Sequence, residues 1–193
     1  MRSTTVHDGD SFKCAQANGK VVTLRLYGID APEAKQPYGQ AARKKLVELL
    51  SRRKLDAQNM DTDRYGRTVA VVRTVDTTST SNRRTRKVNE TMGSDPMVNE
   101  AMVNEAMVNE TPVNEIMVRA GLAWVYDQYC ADEDICADLR QAETEARTAR
   151  RGLWAQADPT PPWVWRRQHK TEEWYAKPVR TLKQVTRALK GLW

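Results

Sequence analysis

The stretch VTLRLYGIDAPEAKQPYGQAA, Val22 to Ala42, decides how the chain is read. It begins as a strand in which Val22, Leu24 and Leu26 alternate with Thr23, Arg25 and Tyr27, so Arg25 points away from the face the leucines share. It breaks at Asp30-Ala-Pro-Glu33 and restarts with helical spacing. From Tyr38 to about Arg52, Ala42, Leu46, Leu49 and Leu50 form one stripe, with Arg43, Lys44, Lys45 and Glu48 opposite. A strand-to-helix turn needs the aspartate and the proline. It does not need Arg25, Asp30 and Glu33 all charged around one strand end.

Upstream, residues 10–15 and 21–29 read as two strands whose connection, Ala-Asn18-Gly19-Lys, suits a tight hairpin turn. Downstream come a weaker strand near 55–60, the turn Asp63-Arg-Tyr-Gly-Arg67 and a strand TVAVVRTV at 68–75. Ile116, Met117, Ala120 and Trp124 then fall at helical spacing. Ile135, Leu139, Ala142, Ala146, Ala149 and Leu153 predict an amphipathic helix that Gly152 stops. PTPPWVWRR reads as an extended, tryptophan-bearing segment. Beyond Pro178, Leu182, Val185, Leu189 and Leu192 lie opposite Arg180, Lys183, Arg187 and Lys190, a basic amphipathic helix expected to dock on the body.

Between the last strand and that second helix the triplet Val-Asn-Glu recurs at 88, 98, 103, 108 and 113, with only the slot at 93 altered to Gly-Ser-Asp. A period of five turns each copy by roughly 140° on a helix, so no apolar face persists, and alternates faces on a strand. Residues 88–112 therefore read as a tandem expansion forming an exposed loop or loosely helical arm, whose deletion is expected to spare folding and activity.

Hydrophobic residues make up 40% and charged residues 29% of the 193, which suits a globular domain with an extension. No apolar run approaches the roughly 18 residues that span a membrane. The opening MRSTTVHDGD lacks an apolar core, so the expected compartment is cytoplasmic, or secreted or periplasmic if the N-terminus is cut short. The net charge of +6 is uneven: Asp158 to Trp193 holds eight Lys/Arg against three Asp/Glu, and Val88 to Met117 holds six acids and no bases. A basic body with a basic tail favours an anionic partner such as nucleic acid. Three cysteines without nearby histidines make a poor zinc site. Cys130 and Cys136 flank the acidic loop CADEDIC and can close a local disulfide in an oxidising compartment, leaving Cys14 as a strand residue facing the core.

Taken singly, the charged motifs are ordinary turns. Taken together they form a kit. Asp8 and Asp10 share a face if their stretch is extended. Asp10 and Asp30 offer hard oxygens without thiol or imidazole, a donor set suited to a calcium-like cation. Glu33 can hold or deprotonate a water beside it, and Arg25 and Arg67 can grip phosphate oxygens in bidentate fashion. Such a set suits in-line attack on a phosphodiester. With only His7 and His169 present, no Ser-His-Asp or Cys-His arrangement competes.

The ordered motifs DGDS, LRLYGIDAPE, QPYGQAA, DRYGR, VNEIMVRAGLAWVY and GLW resemble those of the thermonuclease, or staphylococcal nuclease-like, family over roughly residues 5–165. The resemblance implies an α+β, mainly β fold: an OB-type five-stranded barrel with three helices over residues 1–165, to which the sequence adds the insertion at 88–112 and a basic extension with its amphipathic helix at 166–193. It further implies a Ca2+-dependent phosphodiesterase acting on DNA and RNA as a monomer, with no stable protein partner. By motif, Arg25, Glu33 and Arg67 are the catalytic residues. Asp10, Asp30 and the backbone carbonyl of Ala31, where the family often has threonine, hold the cation, and Asp8 stands behind them. Arg64 and Tyr65 match positions that hold the nucleotide's terminal phosphate, and either Tyr126 or Tyr129 matches a base-stacking tyrosine. The chain departs from the family in two places: little sequence precedes Asp8 to make a first strand, and the repeats intervene. The alternative is a catalytically inactive OB-fold nucleic-acid-binding module.

Overall fold

A computed structural model describes residues 1–75 and 111–175. The repeat copies at 88, 98, 103 and 108 and the C-terminal helix expected beyond Pro178 lie outside the described residues. The chain divides into two compact units, Met1–Pro159 and Thr160–Trp193.

In the first unit five strands form one sheet in the order β1-β2-β3-β6-β5: β1 (Arg2–Val6), β2 (Ser11–Ala15), β3 (Val21–Leu26), β5 (Lys54–Thr62) and β6 (Thr68–Val75). The hairpins β1–β2, β2–β3 and β5–β6 are antiparallel, and β3–β6 is parallel. A crossover through β4 (Ile29–Asp30) and helix α1 (Gly39–Leu50) makes that parallel pairing possible. Bulges between Ser3 and Thr5 and between Asn59 and Asp61 increase the coiling of the outer strands. The two sheet edges meet where Leu55 N–H donates to Met1 O at 2.7 Å and the Met1 amino group donates to Leu55 O at 2.7 Å. The barrel is bridged there rather than closed by a full ladder. The first strand, expected to be nearly missing, is present with five residues.

The alternation read in the second strand holds. Leu24 and Leu26 are buried, Arg25 lies on the other face, and Phe12 and Cys14 of β2 join the leucines in the core. Helix α1 contributes Ala42, Leu46, Leu49 and Leu50, the stripe its periodicity announced.

Helix α2 (Val113–Arg119) is shorter than its spacing suggested. Gly121, at a left-handed φ of 67°, ends it, and only glycine fits there, since an added Cβ would come within 2.1 Å of the Arg151 carbonyl. Trp124 is therefore not helical. It lies on β7 (Trp124–Val125), paired with Asp30 of β4. The last Val-Asn-Glu copy opens α2: Val113 is core, and Glu115 pairs with Arg119 at 2.7 Å. Asn114 is 1% exposed. Its amide oxygen accepts the Val72 N–H at 3.0 Å, and its amide nitrogen donates to Tyr27 O at 2.9 Å and Ala70 O at 3.2 Å. One side chain thus ties α2 to β6 and to the end of β3.

Helix α3 (Glu133–Thr148) is capped by Asp132, whose carboxylate accepts the Ile135 N–H, and it buries Leu139, Ala142 and Ala146. It ends before the expected stop: Ala149 is already its C-cap, and Leu153 follows in a separate 3-10 turn, Gly152–Ala155. Cys130 and Cys136 form the local disulfide, while Cys14 is a buried free thiol. The Tyr27 hydroxyl accepts the N–H groups of Ala131 at 2.6 Å and Asp132 at 2.8 Å, which fixes the disulfide loop against the end of β3.

In the second unit the segment expected to be extended is instead helix α4 (Pro162–Tyr175). Pro162 suits a first helical position, where no N–H is needed, and the Pro161 carbonyl accepts the N–H groups of Val164 and Trp165, both at 3.0 Å. His169 stacks on Trp165 at 3.8 Å between ring centroids. Among the described residues no helix is long and apolar enough to cross a membrane.

Candidate nuclease site

Strand β3, the β1–β2 turn and strand β4 converge on one charged cluster. Arg25 stands opposite Ser11 in the β2–β3 ladder, and opposite Val69 in the parallel β3–β6 ladder. Its guanidinium bonds Asp10 Oδ1 at 2.5 Å, Asp30 Oδ1 at 3.1 Å and the Ile29 carbonyl at 3.1 Å. Asp10 and Asp30 are only 4% and 1% exposed, so each would be untenable as an isolated ion.

Further partners complete Asp10. Its Oδ1 accepts the Ser11 hydroxyl at 2.7 Å and its Oδ2 accepts the Ala31 N–H at 2.9 Å. Burial works to raise the Asp10 carboxyl, but the Arg25 charge and these hydrogen bonds outweigh it and hold the group below the ordinary carboxylate range. For Arg25, burial opposes its charge, and the attraction of Asp10 and Asp30 reverses the balance, so the guanidinium is held more firmly protonated than usual.

Asp8 is not side by side with Asp10 on an extended strand. Its carboxylate turns back to accept the N–H groups of Asp10 at 3.1 Å and Ser11 at 2.7 Å, closing an Asx turn. Burial and then the negative charge of Asp10 push its carboxyl up to about 6.

The β5–β6 turn brings the second arginine. Arg67 Nε donates to Asp63 Oδ2 at 2.7 Å, while Asp63 Oδ1 accepts the N–H groups of Tyr65 and Arg67, both at 2.9 Å. Arg67 Nη1 donates to the Ser11 hydroxyl at 3.2 Å, joining this turn to the Asp10 cluster. Arg64 and Arg67 flank the exposed Tyr65 ring, with guanidinium carbons 4.9 and 5.5 Å from its centroid.

Glu33 is half-buried in the loop that leaves β4 for α1. Buried Gln36 clamps its backbone twice, accepting the Glu33 N–H on its side-chain oxygen at 3.1 Å and donating its own N–H to the Glu33 carbonyl at 2.8 Å. A Cβ added at Gly39 would lie 1.9 Å from that carbonyl, so only glycine admits the close approach. Tyr38 between them holds a left-handed φ of 66°, uncommon for a residue with a side chain. Tyr126, whose N–H donates to the Gly28 carbonyl at 2.8 Å, has its ring 4.8 Å from that of Tyr129, so the two candidates form one aromatic patch.

Arg25 thus contacts Asp10 and Asp30 directly, Asp8 joins through the Asp10 and Ser11 N–H groups, Arg67 joins through the Ser11 hydroxyl, and Ala31 joins through its N–H. Arg64 and Tyr65 share the turn of Arg67. Glu33 follows Ala31 by two residues, and the tyrosine patch hangs from β7, which pairs with β4. Sequence reasoning passed over Ser11, Asp63 and Gln36. Each lies inside a motif already quoted, but nothing in a linear pattern says which partner a hydroxyl or an amide will meet.

Among the described residues no three His, Cys, Asp or Glu side chains converge as a ready metal cluster. The donor chemistry nevertheless fits a hard cation: Asp10 and Asp30 share one directly bonded guanidinium, and the Asp8 carboxylate lies against Asp10 without a guanidinium of its own among the described residues. A cavity of about 280 Å3 bordered by Val71, Arg73, Asn114 and Leu139 lies apart from this cluster and contains none of its residues.

An OB-type sheet thus gathers two buried carboxylates around Arg25 and, through the Ser11 hydroxyl, a second arginine. The family profile described as Staphylococcal nuclease homologue matches residues 23–156. An "Uncharacterized endonuclease" of Escherichia coli O157:H7 is 34% identical over 165 residues, covering 86% of this chain and 83% of the relative. A "Micrococcal nuclease" of Shigella flexneri is 32% identical over 163 residues, 84% of this chain and 78% of its own length. A staphylococcal-like nuclease of Arabidopsis thaliana is 31% identical over 157 residues, 81% of this chain but 37% of the plant protein. The chain belongs to the staphylococcal nuclease homologue family.

Proposed function

We propose that this protein is a calcium-dependent nuclease that hydrolyses DNA and RNA with little sequence specificity. The observation that carries the reading is the buried Asp10–Arg25–Asp30 pairing, linked to Arg67 at one mouth of the barrel. Asp10, Asp30 and the Ala31 carbonyl would hold the cation, which when bound supplies Lewis-acid polarisation of the scissile phosphate. Asp8 shapes the turn that presents Asp10. Arg25 and Arg67 bind the phosphate oxygens and offset the charge that builds at phosphorus. The Glu33 carboxylate takes a proton from water as the water oxygen bonds to phosphorus. The bond to the departing sugar oxygen breaks, and solvent protonates that oxygen. Arg64 and Tyr65 hold a flanking phosphate, and the Tyr126–Tyr129 patch stacks on a base.

A non-catalytic nucleic-acid-binding barrel is the second reading, favoured by the pairing of both Asp10 and Asp30 with Arg25. Cleavage of denatured DNA with calcium, with chelator, and by Glu33→Gln separates the two. General-base loss is worth about 10²–10⁴ in rate, so calcium-dependent cutting that falls by that factor in Glu33→Gln supports the enzyme. Binding without cutting under any cation would leave the module.

A further inference from the structure

We propose that Ser11 is a positioning residue that sets the separation and orientation of Arg25 and Arg67 on one phosphodiester; the inference rests on the nuclease reading above. Backbone pairing fixes where the two arginines begin, not where their guanidinium groups end. Arg25 is on β3 and Arg67 closes the β5–β6 turn just ahead of Thr68, whose strand pairs with β3. Each side chain has several free torsions, and two like charges repel. Something must span the interval between them.

Ser11 is placed to do so. It stands directly opposite Arg25 in the β2–β3 register, so their side chains share a face. It is 3% exposed. Its hydroxyl donates to Asp10 Oδ1 at 2.7 Å and accepts from Arg67 Nη1 at 3.2 Å. Asp10 Oδ1 in turn bonds Arg25 at 2.5 Å. The order of donors is forced: a carboxylate can only accept and a guanidinium can only donate, so the bridging group must do both. A hydroxyl is the smallest side-chain group that can.

The bridge is also held firmly. The Ser11 N–H donates to Asp8 Oδ1 at 2.7 Å and its carbonyl accepts the His7 N–H at 2.9 Å. Its backbone is therefore anchored independently of either arginine. The path Arg25–Asp10–Ser11–Arg67 is a strut with charge-assisted bonds.

The test is steady-state cleavage of denatured DNA with calcium by four proteins: wild type, Ser11→Ala, Ser11→Thr and Ser11→Val. Rates are taken per folded molecule, with folding checked by thermal melting. Misplacing a catalytic group by about 1 Å costs on the order of 100-fold, so Ser11→Ala is expected to lower kcat 10- to 100-fold with KM little changed. Threonine, which keeps the hydroxyl, recovers most of that loss. Valine, of nearly the same shape without it, does not. In an Arg67→Ala background Ser11→Ala is expected to cost less than about twofold more, because its partner is gone. A Ser11→Ala rate within twofold of wild type overturns the proposal, as do equal rates for threonine and valine, or full additivity with Arg67→Ala. Failure of the wild-type protein to cut removes the nuclease reading and this inference with it, whereas a cutting wild type with an unaffected Ser11→Ala removes this inference alone.

Discussion

Asn114→Ala tests how the last repeat copy is used. The substitution removes the acceptor for the Val72 N–H and the donor to the Tyr27 carbonyl. Ala70 O loses a bond too but keeps the Tyr27 N–H, at 2.9 Å. Two buried backbone groups are left unsatisfied, at about 1–3 kcal/mol each. The missing amide also leaves a small void, worth about 1 kcal/mol. The expected loss is therefore about 3–7 kcal/mol, a large share of the 5–15 kcal/mol roughly typical of a domain. Urea denaturation followed by tryptophan fluorescence reads it. Glu115→Ala, one residue on, is the internal control: it breaks an ion pair with Arg119 whose side chains are 15% and 38% exposed, and such pairs are worth up to about 1 kcal/mol. An Asn114→Ala protein within 1 kcal/mol of wild type would refute the reasoning, since burial and triple bonding would then contribute nothing beyond the exposed pair.

Gly39→Ala should drive the Glu33 carbonyl aside, since the new Cβ would fall 1.9 Å from it. A fall in kcat on the order of 100-fold is expected in the denatured-DNA assay, and an unchanged kcat would show that the loop need not be held there. Reducing the Cys130–Cys136 disulfide opens a loop with a sequence separation of 6. Chain entropy puts the loss at about 2.4 kcal/mol, or about 5–10 °C in Tm for a chain of this size. Melting with and without dithiothreitol measures it, with the Cys130→Ser/Cys136→Ser protein expected to be insensitive. The Glu143 carboxyl is raised by burial, with Asp127 adding to the shift while the Val125 N–H and Arg147 oppose it. Its stabilising contribution is full below the unfolded pKa and is lost as pH rises through the folded one. The stability of wild type relative to Glu143→Gln should therefore be lower at pH 7 than at pH 3.5, and a difference of the opposite sign in urea midpoints would contradict the burial argument.

Much of this protein is written locally. The alternation of Leu24 and Leu26 around Arg25, the stripe from Ala42 to Leu50 and the strand at 68–75 all depend on spacing within one element, and all appear as read. The charged motifs stood out for the same reason, since each is a short run of residue types, and the structure brings Asp10, Arg25 and Asp30 from separate runs into contact. Partners were not legible. Trp124 continues a helical spacing, yet the left-handed Gly121 ends the helix, and only glycine fits there because Arg151, 30 residues later, passes too close for a side chain. Ser11 and Gln36 look like turn residues until their neighbours are known. The five Val-Asn-Glu triplets are identical as sequence, and no local pattern distinguishes them. The tertiary structure gives the copy at 113 its meaning by setting Asn114 against Val72 and Tyr27, 42 and 87 residues away. Hydrophobic spacing reports which face a segment buries. What an individual polar group must satisfy is decided only when distant strands come together, because its partner is defined by geometry and not by order along the chain.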